Sequence, residues 1–470
     1  MTRQWSPQQS AIFDACTDPN GGNLIVEAFA GTGKTTTIVE AASRIPTDRS
    51  VLVVAFNKQI QTELSRRLPE HVACATLHSF GFRLVRRAFN NPKVDAHSVS
   101  KWLRIKYPKL SADGRDAICK LVSLAKATLS ALESNPLDSL AYAFDIELPR
   151  SAKARTESLR IAVDALASSR ACSNNTIDFD DMIWLPVECD LPLPKYNTLF
   201  VDEAQDLNAC QTALVLGLSD RIVAVGDSNQ AIYGFRGASS GSLEYLRNEL
   251  KASTLPLSTT YRCAHAIVSE ANRYVPLLKA AKDALTGTVQ TCTKSYLLDH
   301  IEPEDFVLSR TNAPLVSLCL QWLAQGVRAT VCGKDIGIEL TKLVRKSKAG
   351  TAQEFLAWLR EWEAAEVEYL KSKERDPGPA QDKAQCLRAV AENCGTLAEI
   401  TGKLERIFSD GNSGGIILSS VHKAKGLEAE RVWVLTNTFF RRPGQEEANL
   451  YYVAVTRAKT ELNLVRGDCQ

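Results

Sequence analysis

Leu24-Ile25-Val26-Glu27-Ala28-Phe29-Ala30-Gly31-Thr32-Gly33-Lys34-Thr35-Thr36 is the stretch that decides the fold. An apolar run ends in a Gly-rich turn, and a helical pattern opens at Lys34. Strand, turn and helix in that order form a cradle for nucleotide phosphates. Backbone N–H groups over Ala30, Gly31, Thr32 and Gly33, together with the positive end of the helix through Thr36, face the anion. Lys34 supplies a point charge to the outer phosphates, and the Thr35 hydroxyl helps hold Mg²⁺. Ala28 stands where the usual pattern opens with Gly, which implies a backbone conformation there that does not demand Gly.

A second signal is Leu199-Phe200-Val201-Asp202-Glu203-Ala204-Gln205-Asp206. An apolar strand delivers adjacent carboxylates to its C-terminal end, where parallel sheets bind ligands. Asp202 is placed to complete the Mg²⁺ shell begun by Thr35, and Glu203 to deprotonate the attacking water. A plain acidic helix start is the competing reading, and the phosphate loop outweighs it. The strand at 221–225 leads into Gly226-Asp227-Ser228-Asn229-Gln230 and on to Gly237. Gln230 is an uncharged side chain able to sense a γ-phosphate or a water. Tyr233 and Phe235 form either a stacking face or the core aromatics of a Gly-punctuated turn.

The chain has 470 residues, 45% of them hydrophobic and 23% charged, so several soluble domains are expected. A formal charge of +2 confines any nucleic-acid surface to local patches. The 13 Cys lack metal-ligand spacing and read as reduced, small hydrophobes. No apolar run reaches spanning length and no signal core precedes Trp5, so a cytoplasmic protein without a membrane partner is expected, in a prokaryotic or phage-infected cell.

Strand signals at 24–28, 51–55, 198–201 and 221–225 predict one α/β unit, and those at 306–309, 327–331, 416–418 and 432–435 a second. A first motor domain is expected over 1–81 and 178–250, interrupted by a helical insertion at 82–177 broken at Pro92, Pro108, Pro136 and Pro149. A second is expected over 251–335 and 411–470, interrupted by a short helical insertion at 336–410 with a linker-like Asp376-Pro377-Gly378-Pro379.

Taken in order, these motifs resemble the superfamily-one DNA helicases of the UvrD/Rep type, most of all the compact F-box-helicase-like and phage-type members. The resemblance runs from Trp5 to Lys459 and implies two RecA-like P-loop motor domains. It makes Gln9 of Trp5-Ser6-Pro7-Gln8-Gln9 the adenine contact. It makes Phe56-Asn57-Lys58 and Thr76-Leu77-His78-Ser79-Phe80 the single-strand contacts of the first motor, with the Tyr233 and Phe235 segment. In Thr260-Tyr261-Arg262 it implies a Tyr261 near the base and an Arg262 on the γ-phosphate. Ser309-Arg310-Thr311-Asn312 resembles a further strand-contacting loop. In Val421-His422-Lys423-Ala424-Lys425-Gly426-Leu427-Glu428, Glu428 becomes the ribose contact and His422 a DNA contact. In Tyr452 to Lys459, Arg457 becomes a second arginine finger. For His78 and His422 a hydrogen-bonded core role stays open. Phe235 replaces the commoner Trp and Thr260 the commoner Asn. The short second insertion puts duplex unwinding in more question than translocation.

If Arg262 and Arg457 reach the phosphate held by Lys34, the nucleotide lies in a cleft whose closure and opening drive stepping. Residues 81 to 110 carry eight basic residues, Arg83, Arg86, Arg87, Lys93, Lys101, Arg104, Lys106 and Lys109, opposed only by Asp95. They suit phosphates, while the interleaved Phe82, Phe89, Trp102 and Tyr107 read as core. The sequence thus predicts an ATP- and Mg²⁺-dependent 3′–5′ helicase or single-strand DNA translocase for repair, recombination or replication. It would act at single-strand and single-strand/duplex junctions, with protein partners possible through the insertions. The rivals are a single-strand-dependent ATPase that remodels protein–DNA complexes, an RNA-directed enzyme, and a partner-binding regulatory NTPase.

Overall fold

The computed structural model describes residues 4–467 except 145, 150, 173–174, 233–240, 373, 410–413 and 441–443. Tyr233 and Phe235 therefore lie outside the described residues. The chain divides into two compact units, Met1–Ser258 and Thr259–Gln470.

In the first unit the strands are β1 (Leu24–Ala28), β2 (Val51–Ala55), β3 (Val72–Thr76), β4 (Lys93–Val94), β5 (Thr176–Ile177), β6 (Thr198–Val201), β7 (Ile222–Gly226) and β8 (Ser253–Leu257). Six of them make a sheet in the order β3-β2-β6-β7-β1-β8, parallel throughout. Every residue of β2, β6 and β7 is buried, as expected for strands covered on both faces. Leu24 and Val26 enter one core cluster with Phe13 and Ile38, while Ile25 enters the other with Leu121 and Ile161. That is the period-two alternation of a strand feeding two layers.

The division after Ser258 corrects the boundary expected after residue 250. β8 pairs with β1 from Leu24 opposite Ser253 to Ala28 opposite Leu257, so those residues belong to the first sheet. Its Pro256 and exposed Ser253 and Thr254 fit an edge strand and hide it from an apolar-run search.

The helical block between β4 and β5 holds helices Ser98–Lys106, Ala112–Thr128, Ser134–Ala143 and Ala152–Arg170. Pro136 does not break it. It sits in the first turn of Ser134–Ala143, where its missing N–H would have had no intrahelical partner. Leu103, Leu121 and Leu166 share a cluster with the sheet residues Leu52 and Leu199, so the block is fused to the sheet. Buried within it, the Lys126 amine lies 2.8 Å from both Asp178 and Asp181 and 5.7 Å from the Trp184 ring centroid.

Helix Leu77–Ala88 packs on helix Asp181–Glu188 at Gly81, where a Cβ would stand 2.0 Å from the Met182 carbonyl oxygen. Backbone cannot yield there as a side chain could. Gly81→Ala is expected to cost about 1–3 kcal/mol or more, read as a lowered urea midpoint with unchanged slope.

The second unit contains β9 (Thr259–Thr260), β10 (Lys279–Ala280), β11 (Thr288–Thr293), β12 (Phe306–Ser309), β13 (Ala329–Cys332), β14 (Phe408–Ser409), β15 (Ile416–Ser420), β16 (Ala429–Leu435) and β17 (Ala458–Arg466). Its main sheet runs β11-β17-β16-β12-β15-β13-β14, again parallel throughout. Helices Lys334–Lys346, Ala352–Ser372, Gly378–Ala391 and Leu397–Ile407 pack onto it, and Phe355, Leu387 and Leu404 share a cluster with Val307, Leu418 and Trp433. The linker-like Asp376–Pro379 starts a helix instead. Asp376 accepts from Gly378 N at 2.9 Å, and Pro379 occupies the first turn. Both units are α/β with parallel sheets, the architecture of RecA-like motor domains. Among the described residues no helix is long and apolar enough to cross a membrane.

Candidate functional site

The sheet order sets the C-terminal ends of β6, β7 and β1 side by side, so three strand ends converge on one place. After β1, Gly31 and Gly33 adopt φ of 70° and 81°, left-handed values that Gly takes without penalty. Ala28 is still within β1, opposite Leu257, which explains why Gly is dispensable there. The Thr32 hydroxyl donates to Phe29 O at 2.8 Å and Phe29 N donates to Leu257 O at 3.1 Å, pinning the turn. Helix Lys34–Ser43 starts directly behind it, with Thr35 and Thr36 in its first turn. Thr36 accepts from Arg67 at 3.0 Å.

The Lys34 amine lies 3.3 Å and 3.4 Å from the two carboxylate oxygens of Glu203. Glu203 has a φ of 51°, a strained value for a residue with a Cβ. Gln205 ties two strand ends together. Its amide donates to Glu203 at 2.5 Å, and its carbonyl oxygen accepts from Asp227 N at 3.1 Å. Gly226 is required by that approach, because a Cβ would meet the Gln205 oxygen at 2.4 Å. Asp227 in turn accepts from the Gln230 amide at 2.7 Å.

Charge balance explains what the arrangement can hold. Burial pushes the Asp202 carboxyl up, the neighbouring Glu203 charge pushes it further, and Lys34 pulls it back. Burial also raises Asp227, again against the pull of Lys34. For Lys34, burial favours the neutral amine, but Glu203, Asp227 and Asp202 outweigh it and the pKa is raised. One lysine thus serves three carboxylates in a desolvated pocket. The Thr35 hydroxyl and Asp202 carboxylate are the hard oxygen donors that Mg²⁺ prefers, and few protein ligands suit a metal shared with phosphates. The residues present fit Mg²⁺ and a polyphosphate together.

Gln9 is placed beside this helix. Its oxygen accepts from Ser6 N at 3.1 Å, completing a capping box, and its amide donates to Thr37 at 3.1 Å. Gln8, which carried no sequence assignment, brackets Ser258 through two contacts of 3.0 Å.

At the other end of the same sheet edge, β2 and β3 deliver the remaining first-unit residues. Phe56 is exposed, Asn57 caps helix Lys58–Arg67 by accepting from Ile60 N at 2.9 Å, and Lys58 donates to Gln61 at 2.6 Å. Thr76 and Ser79 cap helix Leu77–Ala88 reciprocally at 3.1 and 3.2 Å. His78 is half-buried, and burial lowers its pKa, which favours the neutral ring. All eight basic residues of 81–110 are exposed, whereas Phe82, Phe89, Trp102 and Tyr107 pack against the core.

In the second unit the structure brings Arg262, Glu428, Arg457 and Lys459 together. Arg262 pairs with Glu428 at 2.6 Å, and Lys459 reaches the other Glu428 oxygen at 3.3 Å. Partial burial raises the Glu428 pKa, but Arg262, Lys459 and Arg457 outweigh it and hold the carboxyl below its usual range. Arg457 is buried and donates to Val453 O at 3.0 Å and Leu427 O at 3.2 Å, so its guanidinium is fixed by backbone. Tyr261 is exposed. Arg310 and Asn312 leave β12, and His422 leaves the adjacent β15. Arg310 pairs with Glu447 at 2.7 Å. Asp382 accepts from Asn312 N at 3.0 Å, the Asn312 amide at 3.1 Å and Ala313 N at 2.8 Å, so Asp382 caps the start of helix Ala313–Ala324 and fixes Asn312 there.

A phosphate loop with convergent carboxylates on a parallel sheet, followed by a second parallel-sheet unit carrying clustered arginines, defines a P-loop motor protein. Residues 5–251 match the family model of the UvrD/REP helicase N-terminal domain, and residues 415–465 that of the UvrD-like helicase C-terminal domain. The chain belongs to the UvrD/Rep helicase family. It is 26% identical to F-box DNA helicase protein 1 of Schizosaccharomyces pombe over 98% of this chain and 57% of that protein. It is 24% identical to F-box DNA helicase 1 of Gallus gallus over 92% of this chain and 46% of that protein. To the ATP-dependent DNA helicase PcrA of Staphylococcus aureus it is 26% identical over 54% of this chain and 38% of that protein. The chain spans about half the length of the curated relatives it matches.

Proposed function

We propose that this protein is an ATP-dependent, Mg²⁺-requiring motor that moves 3′ to 5′ along single-stranded DNA and opens duplex at junctions, in repair, recombination or replication. The observation that carries the reading is Lys34 ringed by Asp202, Glu203 and Asp227 at three adjacent strand ends. Lys34 and the turn N–H groups bind the phosphates. Thr35 and Asp202 would hold Mg²⁺, whose bound charge neutralises the phosphate oxygens. Glu203 accepts the proton of the attacking water. Asp227 fixes the Gln230 amide, and Gln205 sets the Glu203 carboxylate. Arg262 and Arg457 are assigned to the charge that builds on the transferred phosphate, Gln9 and Tyr261 to the base, and Glu428 to the ribose.

Phe56, Asn57, Lys58, Thr76, His78, Ser79, Arg310, Asn312 and His422 are assigned to the strand. The caps made by Asn57 and Thr76, and the bond from the Asn312 amide to Asp382, position those loops, so their contact with DNA would use remaining hydrogen-bonding capacity. One observation supports a second reading, a translocase that strips proteins from the strand. The second helical segment is short, and its Phe355, Leu387 and Leu404 share the core of the sheet it packs on.

The test is ATP hydrolysis with and without single-stranded DNA, then strand displacement on 3′-tailed and 5′-tailed duplexes. DNA-stimulated hydrolysis with displacement only from the 3′ tail is the expected result. Stimulation without displacement selects the remodelling ATPase, stimulation by RNA alone the RNA enzyme, and hydrolysis indifferent to both the regulatory NTPase.

A further inference from the structure

We propose that Phe440 is a base-stacking platform for a single nucleic-acid strand, held outward by Glu447 beside Arg310. The proposal rests on the DNA-motor reading and adds to it a contact that the motif reading did not assign.

β16 carries the chain to the C-terminal edge of the second sheet, and a short turn over Thr436–Thr438 follows. The next two residues are both Phe, with opposite fates. Phe439 is buried against Tyr451, ring edge to face at 5.5 Å. Phe440 is 43% exposed. Its φ of 55° is a left-handed value that bulky residues rarely adopt. The left-handed backbone is held at a cost in conformational energy, at a residue whose apolar side chain stays partly exposed.

Two kinds of contact hold that conformation. Phe440 N donates to one oxygen of Glu447 at 3.1 Å. The Phe440 ring lies nearly parallel to Tyr274, centroids 5.8 Å apart and planes 13° apart, and is buttressed by the tilted rings of Tyr451 at 5.4 Å and Phe439 at 6.5 Å. A ring stacked and backed on one face is a flat, rigid surface rather than a mobile side chain.

The other oxygen of Glu447 pairs with Arg310 at 2.7 Å. Arg310 N donates to Thr438 at 3.0 Å, so the β12 loop and the β16 loop are bound at two points. One carboxylate thus sets a guanidinium and an outward aromatic ring in the same network. Guanidinium for phosphate and ring for base is the pairing by which single strands are gripped without sequence preference. A Phe scattered on a surface by chance has no need of a left-handed backbone, a carboxylate shared with a neighbouring guanidinium or a stacked partner.

The experiment measures affinity of the full chain for a fluorescent oligodeoxythymidylate and for an abasic strand of the same length, by anisotropy. Phe440→Asn removes the ring, and Asn accepts the left-handed backbone. It should weaken binding to the base-bearing strand by roughly 5- to 150-fold and leave the abasic strand unaffected. Phe440→Trp should keep the base-dependent part. Arg310→Gln should weaken both strands alike and flatten the salt dependence. Equal weakening of both strands by Phe440→Asn, or of neither, would overturn the platform. A wild-type chain that hydrolyses ATP yet binds neither strand would instead overturn the DNA-motor reading beneath it.

Discussion

Glu203→Gln should lower single-turnover ATP hydrolysis by about 10²- to 10⁴-fold, the usual contribution of a general base, while nucleotide binding survives. The substitution is nearly isosteric. A Gln at 203 can still offer an oxygen to Gln205, so the turn after β6 keeps its shape. What it loses is the charge that accepts a proton. Lys34 also loses the nearest of its three carboxylates, which leaves it freer to bind phosphate. Binding of a fluorescent ATP analogue, measured beside hydrolysis, separates the two effects. A rate within a few-fold of wild type would remove Glu203 from proton transfer, whatever happened to affinity.

The largest effect on stability is expected at a residue with no place in the reaction. Lys126 is 1% exposed and sits between Asp178 and Asp181, the latter equally buried. Lys126→Ala strands two carboxylates without their cation and should cost about 3–5 kcal/mol. Lys126→Met combined with Asp178→Asn and Asp181→Asn should restore most of that loss, because a buried pair replaced as a whole is often neutral. Chemical denaturation of the three chains decides it. If the single and combined variants are equally unstable, the loss comes from packing against Trp184 and not from charge. The pH sign follows from the same contacts. Burial favours neutral Lys126, yet Asp181 and Asp178 outweigh it and raise the pKa. The folded state then holds this proton more tightly than the unfolded one. Its contribution is complete below about pH 10.4, the ordinary lysine value, and is lost as pH rises through the higher folded value.

How much could be read in advance depended on whether the chemistry was local in sequence. The phosphate loop was legible because Gly31, Gly33, Lys34 and Thr35 must be contiguous to wrap an anion. Asp202 and Glu203 were legible because a buried strand announces itself as an apolar run. The edge strands were not. β8 carries Pro256, and β11 alternates polar residues, so neither offers the apolar run that marks a covered strand. The partners that hold the site were hidden for another reason. Gln205 lies close in sequence to Glu203, but its bond to Asp227 requires β6 and β7 to be neighbours. Asp382 capping Ala313 and Glu447 joining Arg310 to Phe440 likewise depend on packing that no spacing encodes. Aromatic residues among the basic stretch were correctly left to the core, since four rings on short helices have a hydrophobic interior to fill.

The position of β1 has a consequence for biosynthesis. Leu24–Ala28 is synthesised well before both of its neighbours, β7 and β8, the second of which ends at Leu257. At typical translation rates of about 5–20 residues per second, the strand that carries the phosphate loop waits roughly 10–45 s for its partners. Through that interval Leu24–Ala28, apolar but for Glu27, has neither of its neighbouring strands, while the helices from Ser98 to Arg170 can form from contacts near in sequence. The nascent chain is therefore most exposed to misassembly at the segment its chemistry can least do without, and ATP cannot protect it, because the loop that would bind ATP has not yet been held in place.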